Sequence, residues 1–172
     1  AQNRSPVLSL IAEEGIRALA SGLPQVCDGT AGDNRRGEAL YGAFMCGLAL
    51  ATATMGIHHK LCHVVGGSFG MPHAETHTII LPHAIHYNRD AAPEAMQAIS
   101  RALGAGSAAG GIFDLAEKIG APTALKDLGF DEKNLDRAAD IATASPYYNP
   151  QPVDRDGVRA LLEAAYRGHR PT

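Results

Sequence analysis

The run Gly56-Ile-His-His-Lys-Leu-Cys-His-Val-Val-Gly-Gly-Ser-Phe-Gly-Met-Pro-His-Ala-Glu-Thr-His77 holds five of the chain's eight histidines, and His83 and His86 follow closely. On a helix, the spacings 59/63 and 73/77 each place two imidazoles on one face, a turn apart. Between the pairs lie Gly66, Gly67, Gly70, Met71 and Pro72, a segment that cannot stay helical throughout. Two short helices meeting at such a break bring their histidines to one pocket. Imidazole titrates near neutrality and is also the commonest metal ligand, so the pattern points to a reaction centre, a metal site or both. A single i, i+4 pair often marks only a polar helix face. Two pairs around one break, with only His169 beyond this region, point to a functional site. His58 lies about 100° around the helix from His59 and is expected to point elsewhere.

Outward from this run the chain reads as helices. Upstream, Ser5 caps a helix with Pro6 at its first position, extending to Gly22, and a loop from Leu23 to Gly32 follows. Asp33 opens a long helix to about Gly56. Its stretch from Gly42 to Met55 is apolar and small-residued all round, so it is expected to be the most buried element of a bundle. The apolar run from Ala43 to Ile57 is too short to span a bilayer. Downstream, helices are expected over Pro93–Leu103 and Ile112–Ile119, with a short piece capped by Thr123 and ending at Gly129. A further helix over Asp131–Ala144 has Leu135, Ala138, Ala139 and Ile141 facing inward. Tyr147 to Pro152 is an extended connector, and Asp154 caps a last helix bearing Val158, Leu161, Leu162 and Tyr166. Around nine helical pieces and no strand make the fold class all-α, a helical bundle in one domain spanning 1–172.

Composition agrees. The chain has 172 residues, enough for one hydrophobic core, with 45% hydrophobic residues but only 5% aromatic and no Trp. Small residues favour closely approaching helices. A net charge of -3 and a pI near 6.2 give no reason to expect nucleic acid or an anionic membrane surface as partner. Cys27, Cys46 and Cys62 form no Cys-x-x-Cys pair and are odd in number, which reads as reduced thiols in a cytoplasmic protein. Gly104-Ala-Gly106 and Gly110-Gly111 follow no Val/Ile run, so they do not read as a dinucleotide phosphate loop.

The run from Gly56 to Asn88, closing with Leu81-Pro-His-Ala-Ile-His-Tyr-Asn88, resembles the helical domain of the iron-containing alcohol dehydrogenase superfamily. His58-His-Lys-Leu-Cys-His63 and Pro72-His-Ala-Glu-Thr-His77 are most similar to its maleylacetate reductase branch. The likeness extends from Asn3–Leu19 to Asn149-Pro-Gln-Pro-Val153, nearly the whole chain. It implies a larger two-domain enzyme whose α/β nucleotide-binding domain and first helix, bearing Asp-x-x-x-His in iron-dependent members, would precede Ala1.

The resemblance implies roles. His59 and His73 match the metal-ligating positions, for iron or zinc if a divalent metal is bound. With Lys60 they would otherwise bind the substrate. His63 matches a histidine near the nicotinamide and is the candidate catalytic proton donor; His77 would support the turn that carries His73. The cofactor would be NADH or NADPH, the substrate a small dicarboxylate, and the assembly a homodimer. Three readings follow: the helical part of a maleylacetate reductase, the same part of an iron-dependent alcohol dehydrogenase, or a non-catalytic histidine-rich domain binding metal or a partner. The chain alone is expected to show no turnover and to bind metal poorly.

Overall fold

The computed structural model describes residues 2, 3 and 5–172. Eight α-helices follow in order: α1 (Pro6–Cys27), α2 (Asp33–Thr52), α3 (Ile57–Phe69), α4 (His73–Tyr87), α5 (Pro93–Leu103), α6 (Ala108–Lys118), α7 (Leu135–Thr143) and α8 (Arg155–Arg167). Two 3-10 turns, Leu125–Leu128 and Glu132–Asn134, precede α7. There is no strand among the described residues, and the protein is all-α.

Several boundaries follow the expected chemistry. Ser5 Oγ accepts from the Leu8 amide at 3.2 Å, opening α1, and Asp154 accepts from Gly157 N at 2.8 Å, opening α8. Others differ. Helix α1 runs past Gly22 and through Pro24 to Cys27, because a proline near the last turn removes one backbone donor without undoing the preceding turns. Helix α2 stops at Thr52, and Ala53 is extended. Helix α6 starts at Ala108, not Ile112, with Ser107 capping Gly110 N. Its glycines serve close packing: a Cβ on Gly111 would lie 2.6 Å from Ala105 Cβ. The turn after Pro122 has Ala124 at its cap position and no side-chain cap bond, so Thr123 does not cap it. In place of one helix over Asp131–Ala144, Asp131 accepts from Lys133 N and a 3-10 turn leads into α7.

The core sits between α3, α4, α7 and α8. Ile57, Leu61 and Val65 of α3 meet Ile79 and Ile80 of α4, Leu135 and Ala139 of α7, and Val158 and Leu162 of α8. On α7, Ala142 is buried, whereas Ile141 packs at the margin, as does Tyr166 on α8. The segment from Gly42 to Met55 is not the most buried element. Gly42 is the one residue of α2 that is buried, while Leu40 is 73% and Phe44 66% exposed. A helix apolar all round is expected to be covered on every side; here α2 packs mainly against α1. That contact is tight, since a Cβ on Gly42 would meet Leu19 N at 2.8 Å. Among the described residues no single helix is long and apolar enough to cross a membrane; α2 and α3 meet at a 95° bend.

Beyond Ala53 the chain turns into α3, and this places the histidines. Asn149, in the connector before α8, accepts from the Ile57 amide at 3.3 Å, serving as a cap for α3 from 92 residues away. It also exchanges hydrogen bonds with Asn88 at the end of α4, at 2.8 and 3.3 Å. The start of α3 and the end of α4 are thereby fixed by one side chain.

Candidate functional site

Helix α3 ends at Gly70, whose φ of 68° is left-handed and suited to glycine. Pro72 sits at the cap position of α4 and His73 is its first residue. The chain therefore reverses within three residues and lays the first turns of α4 beside α3. The side chains that face each other there are imidazoles.

His77 is at the centre. Its ring centroid lies 5.0 Å from that of His59, 5.0 Å from that of His58 and 4.2 Å from that of His73. His59 is 6.2 Å from His63. The structure thus groups His59, His63, His73 and His77 on one face, with His63 and His73 exposed and the other two half-buried. Lys60 is placed differently, with its ammonium over the Tyr147 ring at 5.7 Å from the centroid.

His58 does not point elsewhere. Its ring packs edge-on against His59 at 5.0 Å, and its Nε2 lies 3.0 Å from the backbone oxygen of His77. A carbonyl only accepts, so Nε2 carries the proton and Nδ1 keeps the lone pair. Helical-wheel arithmetic fixes the Cα direction only. The imidazole's reach, together with an available carbonyl on the neighbouring helix, brings His58 into the group. Its one sequence signal was adjacency to His59.

The electrostatics favour neutral rings. Burial lowers His58 to about 4, with the hydrogen bond to His77 opposing and His59 and His77 assisting. Burial also lowers His77 to about 4, reinforced by His73, His59 and His63. His59 is lowered by burial, then by His63 and His73. The charges acting on His59 and His77 are thus other imidazoles. His77 Nε2 is buried and has no hydrogen-bond partner, an arrangement that a bound ligand or ion would complete. An imidazole donor set suits iron, zinc, cobalt or copper better than magnesium or calcium. On these grounds the residues fit a divalent metal.

Other clefts lie elsewhere. One of 640 Å³ is lined by His86, Arg89, Gln97, Arg101 and Ser107; another of 460 Å³ lies between α4 and α8 beside His83 and Asp154. Size alone does not carry chemistry. Arg101 already pairs with Glu13 at 3.1 Å, and although His83 Nε2 and His86 Nδ1 beside these clefts are also unpartnered, the histidine face differs in gathering several imidazoles against one another.

The family model for the C-terminal part of the Fe-containing alcohol dehydrogenase family matches residues 1–166. The chain belongs to the iron-containing alcohol dehydrogenase family. Within that family it is 51% identical over 172 residues to a maleylacetate reductase of Burkholderia cepacia, covering 100% of this chain and 49% of that protein. A maleylacetate reductase of Sphingobium indicum is 47% identical over 167 residues, covering 97% and 47%. The crystal structure of maleylacetate reductase from Agrobacterium tumefaciens superposes with a TM-score of 0.95 at 44% identity, covering 99% of this chain and 49% of that one. The chain spans about half the length of the curated relatives it matches. This family member has the helical fold of the solved maleylacetate reductase, with its imidazoles at the α3–α4 reversal.

Proposed function

We propose that this chain is the helical, substrate-binding half of a two-domain, NAD(P)H-dependent maleylacetate reductase. The observation that carries the reading is the layer of imidazoles at the α3–α4 reversal, in a chain 51% identical to a maleylacetate reductase over its whole length. The substrate is a six-carbon unsaturated keto-dicarboxylate and the product 3-oxoadipate. The dinucleotide, held mainly by residues beyond this chain, supplies a hydride to the carbon–carbon double bond conjugated with the ketone.

The chain's own residues then have defined work. As the hydride adds to the far carbon, the electron pair of the double bond moves toward the ketone and an enolate forms. Donors aimed at that oxygen stabilise the transition state more than the ground state. His63, exposed on the open face, delivers the proton to the remaining carbon, which completes the reduction. His59 and His73 bind the substrate's carboxylates, because hydrogen bonds to charged groups are the strong ones, while Lys60, over the Tyr147 ring, stands apart from this face. His77, packed between His59 and His73, fixes both rings. In this reading a metal is not required for turnover. The enzyme works as a homodimer in the cytoplasm.

A second reading rests on the family model itself: an iron-dependent dehydrogenase of small alcohols or aldehydes, with His59 and His73 among the metal ligands. The test is maleylacetate-dependent NADH or NADPH oxidation by the longer enzyme, with and without a chelator. Turnover that survives chelation supports the reductase. Good turnover of simple alcohols together with full loss on chelation supports the dehydrogenase.

A further inference from the structure

We propose that the cleft between α4 and α8 binds an uncharged, hydroxyl-bearing molecule the size of one aromatic ring, held by His83. The cleft measures 460 Å³, the scale of a small-molecule site. It is separate from the imidazoles at the α3–α4 reversal: His83 lies ten residues, about 15 Å, along α4 from His73. The proposal does not rest on maleylacetate reduction.

His83 is the residue that points to a ligand. It is 4% exposed, it lines the cleft, and its Nε2 is buried with no hydrogen-bond partner. A buried polar atom left unpaired costs stability, and native structures rarely leave one so. A polar group entering from the cleft would pair it. Burial, with His86 and His169 assisting, lowers the ring to about 4 and so keeps it neutral. A neutral imidazole nitrogen accepts in one tautomer and donates in the other, and a hydroxyl can answer either.

The remaining lining selects against charge and for an apolar body. Gly157, Ala160 and Ala164 of α8 line the cleft beside Leu161; spacings of three and four put these small residues on one helix face, which leaves room above it. The Tyr87 ring forms a further wall. It packs against α8 because position 157 is glycine, where a Cβ would lie 2.9 Å from Tyr87 Cε2. Its hydroxyl donates to Pro152 O at 2.8 Å, which fixes the ring for edge or offset contact with a second ring. The charged groups are already engaged. Arg89 donates to His86 Nε2 at 2.9 Å and to His86 O at 3.0 Å, and Asp154 caps the Gly157 amide. An anion therefore finds no free cation. A cation finds Asp90, but that carboxylate is 82% exposed, so water screens the attraction.

Phenol is the probe. Calorimetric titration into the protein should show one saturable site per chain, with benzoate and benzylammonium binding about 10-fold more weakly or worse. Ala160→Phe, at an exposed helix position, fills the cleft without touching the core, and should weaken phenol binding by about 10-fold or more. His83→Leu, which removes the nitrogens, should do the same. If that variant does not fold, backbone amide spectra of the wild type replace it: phenol should shift Gly157, Ala160 and Ala164 and leave the α3 amides in place. Absence of saturable phenol binding, binding unchanged in Ala160→Phe, or benzoate bound as tightly as phenol overturns the proposal. None of these outcomes bears on the reductase reading, which is judged by maleylacetate turnover.

Discussion

Asn149 and Asn88 bind each other through their side-chain amides, with Asn149 Nδ2 donating to Asn88 Oδ1 at 2.8 Å and Asn88 Nδ2 returning a bond to Asn149 Oδ1 at 3.3 Å. The same Asn149 oxygen accepts from the first amide of α3, and its amide also donates to Gln151 O at 2.7 Å. One residue therefore ties the connector to both helices that carry the histidines. Asn149→Ala should lower stability by about 2–3 kcal/mol, because it orphans partly buried partners as well as losing bonds. At about 2–4 °C per kcal/mol for a chain of this size, thermal melting should show a fall of several degrees. A melting point within about 1 °C of wild type would contradict this role.

The α1–α2 contact makes opposite predictions for two glycines on one helix. A Cβ at Gly42 would lie 2.8 Å from Leu19 N, whereas at Gly47 it would meet nothing within 4 Å. Gly42→Ala should destabilise by about 1–3 kcal/mol through backbone displacement. Gly47→Ala should stabilise by about 0.5–1 kcal/mol through helix propensity. Urea unfolding of both variants checks the pair, and equal effects would show that the close approach is absent.

Acid should loosen the fold through buried histidines. His83 is 4% exposed, and burial, aided by His86 and His169, lowers it to about 4; His58 is lowered to about 4 chiefly by burial. Unfolded histidine titrates near 6.5. Between these values the unfolded chain binds protons that the native chain does not, so stability rises with pH across this window. It is lost as pH falls from 6.5 toward 4, with a slope approaching about 1.4 kcal/mol per pH unit for each such histidine. His83→Gln should flatten the dependence of unfolding free energy on pH in this window; an unchanged slope would show that His83 is not held neutral.

Much of the fold was legible because the relevant signals are local. Ser5, Pro6 and Asp154 mark helix starts through bonds made within one turn, and the 59/63 and 73/77 spacings told which rings share a face. What was missed is non-local. The composition of α2 announces an apolar helix but not how many sides are covered, and α1 is its main cover. Gly111 lay outside the expected helix, and the neighbouring Ala105 and Leu103 show why a side chain does not fit there. His58 enters the site through a carbonyl 19 residues away, and Asn149 acts across 61 and 92 residues. No window of sequence contains either relationship.

The central claim is that the histidine face reduces maleylacetate with His63 as proton donor. The most direct measurement is kcat for maleylacetate in the longer enzyme carrying this chain, wild type against His63→Ala, beside the dissociation constant for the dinucleotide. The account predicts a fall in kcat of about 10²–10⁴-fold with dinucleotide binding little changed. A His63→Ala enzyme that keeps its kcat, or a wild type that does not turn over maleylacetate, would contradict it.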